Sequence, residues 1–85
     1  MSLTATLTES LRLAAAGDWR AAHALIDDLE HPLACWLHAS LHREEGDDGN
    51  ARYWYGRAGR PFTRESFARE REAIANALAK SSDEL

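Results

Sequence analysis

The chain contains no valine, two isoleucines and four threonines, against sixteen alanines and eleven leucines in 85 residues. β-branched side chains are what a pleated, half-buried strand surface favours, whereas alanine and leucine are among the best helix formers. The composition therefore predicts an all-α fold, and the length predicts a single domain with one modest core. The lone Cys35 cannot form an intramolecular disulfide, so stability must come from packing, self-association or a ligand. No apolar run approaches the roughly 20 residues of a membrane span, and no basic segment followed by an apolar run opens the chain. A cytoplasmic protein without membrane association is expected. The net charge of -4 argues against nucleic acid as a partner. The terminal Ser82-Asp83-Glu84-Leu85 looks like an endoplasmic-reticulum retrieval tail, which has no meaning without a secretion signal and is read as coincidence.

Gly17-Asp18, His31-Pro32, Gly46-Asp47-Asp48-Gly49 and Gly59-Arg60-Pro61 divide the chain into five stretches of helical composition. The first carries Leu3, Leu7, Leu11 and Ala14 at helical spacing, with Thr6 and Glu9 as a capping box if the helix starts late. The second runs from the cap Asp18 to about Glu30, with Ala22, Leu25, Ile26 and Leu29 on one face. Pro32 suits the first position of the third, which turns Leu33, Trp36, Leu37 and Leu41 inward and ends near Glu45. The fourth, from about Asp48 to Gly59, gathers Ala51, Trp54, Tyr55 and Ala58 into one arc. Thr63 is the predicted cap of the fifth, over about residues 63–80, with Phe67, Ile74 and Leu78 in a stripe around Arg71.

An internal repeat accompanies this punctuation. Gly17-Asp18-x-x-x-Ala22-x-x-x-Ile26-x-x-Leu29 recurs 29 residues later as Gly46-Asp47-x-x-x-Ala51-x-x-x-Tyr55-x-x-Ala58. It predicts two antiparallel helical hairpins, about residues 3–30 and 32–59, stacked on each other and closed by a capping helix. The pattern resembles the second half of tetratricopeptide and Sel1-like repeats, most closely in Ala51-Arg52-Tyr53-Trp54-Tyr55-Gly56-Arg57-Ala58. That resemblance implies a right-handed helical stack and a role in protein interaction. It covers about residues 11–60; the first helix of each hairpin matches poorly, and the 29-residue displacement is shorter than the roughly 34 of a tetratricopeptide unit. The segment from Trp36 through Asp47, with Asn50–Tyr55 and Arg57–Arg60, is also similar to a group of small microbial proteins of unassigned function.

Three sets of residues could carry chemistry. His38 and His42 stand at i, i+4, the spacing at which two imidazoles reach one metal ion such as zinc. The glutamate base of H-E-x-x-H enzymes is missing, and Cys35 lies about 10.5 Å of helix rise from His42, so a third ligand has to come from elsewhere, with His23, Asp27 and Glu45 as candidates. Alternatively, both histidines flank a buried stripe and bond to backbone or acids. Tyr53, Arg57 and Arg60, with Arg64 just beyond, form a second candidate set, able to hold the carboxylates of an acidic partner protein or simply to face solvent. The acidic turn Glu44–Asn50 lacks the register of a calcium loop and reads as a helix-to-helix turn. Trp19, Trp36, Trp54 and Tyr55 are expected in the core, and Cys35 as an inert small hydrophobe.

No complete catalytic set is present. The sequence therefore points first to a small cytosolic interaction or adaptor module without a cofactor, and charges of -6 over residues 1–50 and +2 over residues 51–85 are able to orient a homodimer. The alternative is a metal-binding or enzymatic domain centred on His38 and His42, whose site a homodimer could complete.

Overall fold

The computed structural model describes residues 1–81; Ser82–Leu85, and with them the retrieval-like tail, lie outside the described residues. Its helices are α1 (Leu3–Ala15), α2 (Trp19–Ile26), α3 (Pro32–Glu44), α4 (Asp48–Ala58) and α5 (Phe67–Ser81), and no strand occurs among the described residues. The Cα radius of gyration is 11.5 Å, close to the roughly 12 Å of a compact chain of this length.

Two turns are built alike, because the same dipeptide solves the same problem twice. Gly17 and Gly46 take left-handed backbone angles, φ +83° and +88°, which cost an L side chain and not a glycine. The next residue donates back to the helix just ended, Asp18 N to Leu13 O and Asp47 N to His42 O, each at 2.9 Å. Its carboxylate then caps the helix about to begin: Asp18 accepts from Ala21 N at 3.2 Å, and Asp47 from Asn50 N at 3.1 Å. One aspartate thus ends one helix and starts the next.

Helix boundaries shift where local chemistry outweighs periodicity. Ser2 caps α1 through Ala5 N, so the Thr6–Glu9 box goes unused. α2 stops at Ile26 rather than near Glu30, since Asp27 and Asp28 are acids at the negative end of the helix dipole. α5 begins at Phe67, four residues beyond the expected Thr63. Ser66 is its cap, accepting from Arg69 N, while Thr63 Oγ accepts from Glu65 N within the preceding loop.

α1 pairs with α2 and α3 with α4, and α5 lies mainly on α3 while reaching α1. α3 touches all four other helices, so every residue from Leu33 to Arg43 is buried and no face is left for solvent. That is more than the stripe of Leu33, Trp36, Leu37 and Leu41 that its sequence predicts. Small residues let helices close up: Ala22 and Ala51 are fully buried, and Ser10 Oγ donates to Ala22 O at 2.8 Å across the α1–α2 seam. Leu7, Ile26, Leu37, Leu41, Tyr55 and Ile74 fill the core, each aliphatic one contributing about 1.5–3 kcal/mol by leaving water.

Polar groups buried with α3 must find partners. Glu70, only 2% exposed, receives Arg43 Nη at 3.0 Å, Trp36 Nε1–H at 3.2 Å and the Tyr55 hydroxyl at 2.5 Å. Burial and the neighbouring Glu70 carboxylate raise the Tyr55 phenol above its ordinary pKa, so it stays the donor. This network ties α5 to α3 and α4.

Candidate metal centre

α2 contributes His23, and α3 contributes His38 and His42 from successive turns. Where α2 packs on α3 the three rings meet, offering one ligand atom each within 4.8 Å of one another. Nε2 of His23 lies 3.0 Å from Nε2 of His38. Two nitrogens on one tetrahedral zinc ion, each at about 2.0–2.1 Å, stand roughly 3.3 Å apart, so this pair is already near the edge of such a site.

Aromatic walls fix the rings. Trp54 from α4 stacks on His38 with centroids 3.8 Å apart, and Trp19 stacks on His23 at 4.8 Å. Trp19 is itself anchored by its Nε1–H, which donates to Leu41 O at 2.6 Å. Nδ1 of His42 is held by Glu45 Oε1 at 2.6 Å, the carboxylate–histidine pairing that orients metal-ligating imidazoles.

The environment disfavours the doubly protonated, charged form of His23 and His38. Burial, followed by the charges of His23, His42 and Arg57, pushes His38 down to about 3. Burial also lowers His23, with His42 adding to it and Asp27 and Glu45 opposing. Neutral imidazoles are the form that ligates. Nδ1 of His38 is buried without a hydrogen-bond partner, an unmet polar demand that costs on the order of 1–3 kcal/mol.

Of the proposed third ligands, His23 joins the pair. Asp27 is in neither of the ligand clusters, and Glu45 approaches His42 from the outer side. Cys35 is turned away, its Sγ 3.6 Å from Glu30 O, and burial raises its thiol pKa. The fourth histidine, His31, caps α3 by accepting from Leu33 N.

Tyr53, Arg57, Arg60 and Arg64 separate. Arg57 stays beside Tyr53, 5.9 Å from its ring, reaches over Trp54 at 5.1 Å and pairs with Glu30 at 3.7 Å. Arg60 sits over Trp36, its guanidinium carbon 3.5 Å from the ring centroid. Arg64 pairs with Asp48 at 2.6 Å. Asp48 and Arg57 sit at opposite ends of α4, about 13 Å of helix rise apart, so the three guanidinium groups serve different neighbours. His23 was recognisable in the sequence only as one of several possible third ligands. Glu70 and Arg43 could have been found only by noticing that Glu70 shares the Phe67–Ile74–Leu78 stripe.

No protein family matches the chain, and no curated protein or solved structure is significantly similar to it. No helix among the described residues is long and apolar enough to cross a membrane.

Proposed function

We propose that this chain is a small helical metal-binding module whose centre is His23, His38 and His42, with zinc as the resident ion. The observation that carries the reading is the convergence of three mostly buried imidazoles from two helices within 4.8 Å. A nitrogen-only set suits zinc, copper or nickel and is a poor match for calcium or magnesium, which take oxygen ligands. An ion there would join α2 to α3, and so the first helical pair to the second. In a chain this short, that link would supply the staple a disulfide cannot. Metal analysis of protein purified without chelator tests it: one ion per chain is expected, lost from a His38→Ala/His42→Ala variant.

A second reading treats the α1/α2 and α3/α4 pairs as a tetratricopeptide-like or Sel1-like stack that binds an acidic partner protein, or a second copy of itself. Tyr53 favours it, being 57% exposed with Arg57 beside it. Arg57→Glu should then lose a partner that Arg20→Glu retains in a pull-down from cell lysate; equal recovery with both would remove this reading.

A further inference from the structure

A buried ion needs a route in, and the acidic α3–α4 turn offers one. His42 belongs to two ligand sets: the buried one with His23 and His38, and a second with Glu45 and Asp47, whose ligand atoms also lie within 4.8 Å of one another. The second set is open, since both carboxylate residues are exposed while His42 is only 9% exposed. His42 therefore stands at the boundary between them.

The charges of the turn single out the same two acids. Glu44 is held by Arg71 at 2.7 Å, and Asp48 by Arg64 at 2.6 Å. Glu45 faces His42, and Asp47 faces Asn50 through its backbone N–H and its side-chain amide. Neither has an arginine or lysine partner among the described residues. The two uncompensated carboxylates of the turn thus flank the one histidine that the outer set shares with the buried one.

We infer that His42, Glu45 and Asp47 form an outer capture site for a hydrated divalent transition-metal ion, and that His42 hands the ion inward to His23 and His38. The inference rests on the buried three-histidine reading. Ions such as zinc and cobalt(II) accept both carboxylate oxygen and imidazole nitrogen, so they can exchange water for the outer carboxylates first and for the inner nitrogens next. Negative charge at the mouth raises the local concentration of the cation and hence the rate of loading.

Cobalt(II) binding followed by stopped-flow absorbance, with release measured into excess chelator, tests this. Asp47→Asn and Asp47→Ser both keep a side-chain cap for α4, so either supplies a folded variant. Both should slow uptake and release together by about tenfold, leaving the equilibrium Kd within about threefold, as removal of a station on the path requires. Asp48→Asn, which removes a charge already paired with Arg64, should leave both rates unchanged. Unchanged rates in the Asp47 variants would overturn the capture site and leave the buried site standing. A weakened Kd with slowed uptake and unslowed release would also overturn the path, since Asp47 would then only attract the ion. Failure of the unsubstituted protein to take up cobalt would remove the buried site itself.

Discussion

Trp54 lies flat against His38, with ring centroids 3.8 Å apart and planes 15° apart. The indole comes from α4 and the imidazole from α3, so the contact seals one side of the histidine cluster and fixes the ring of its most buried member. Replacing Trp54 by alanine removes that wall. Because Trp54 is only partly buried, the loss of stability should fall near 2–4 kcal/mol, toward the low end of large-aromatic deletions. His38 should then titrate closer to its ordinary value, as water reaches it. Chemical denaturation and NMR titration of the His38 ring check the two effects.

Acid should destabilise the metal-free protein through His38. Its folded pKa, pushed down to about 3 by burial and by neighbouring positive charge, lies below the unfolded value near 6.5. Above pH 6.5 neither state holds the proton and the contribution is fully present. As pH falls from 6.5 toward 3, the unfolded chain gains a proton that the folded chain refuses, and stability drops by up to roughly 1.4 kcal/mol per unit for this one group. Urea midpoints measured in chelator between pH 7.5 and 4 should show a shallower decline for His38→Phe than for the unsubstituted protein. Parallel curves would mean that His38 titrates normally in the fold.

Glu70→Gln leaves Arg43 buried against a neutral partner. Both groups are almost completely enclosed, with side-chain exposures of 5% for Arg43 and 2% for Glu70, and breaking such a pair typically costs about 3–5 kcal/mol. The loss should show in urea unfolding and as faster amide exchange in α5, which Glu70 anchors to Trp36, Arg43 and Tyr55.

Two glycines of one turn should respond oppositely to alanine. At Gly46 an added Cβ meets no atom within 4 Å, so the whole penalty is the left-handed backbone, about 1–2 kcal/mol. Gly49 lies inside α4 without a positive φ, and its Cβ would make only an ordinary 3.8 Å contact with Asp47. Gly49→Ala should therefore stabilise by about 0.5–1 kcal/mol. Thermal melts of the two variants decide it.

These residues also mark how far the sequence could be read. The helices and the paired Gly-Asp turns were legible because capping is local chemistry: Asp18 and Asp47 act on residues three positions away. The i, i+4 spacing of His38 and His42 was legible for the same reason. His23 could not be assigned, because its meeting with His38 depends on how α2 packs on α3, fifteen residues along the chain. The burial of Glu70 was hidden too, since its partners Trp36, Arg43 and Tyr55 lie on two other helices, and a glutamate on a helix otherwise reads as solvated. Arg60 and Arg64 read as one face with Arg57 only while their own partners, Trp36 and Asp48, were unknown.

His23, His38 and His42 are proposed to bind one metal ion that joins α2 to α3. The most direct measurement of this is a zinc titration of chelator-stripped protein, read by thermal melting and native mass spectrometry together. At free zinc near 100 times Kd the bound ion should add about 2.7 kcal/mol and raise Tm by roughly 10–20 °C, with one ion per chain. A His23→Ala/His38→Ala variant should lose both the shift and the added mass. An unchanged Tm with no zinc retained by the unsubstituted protein would contradict the account.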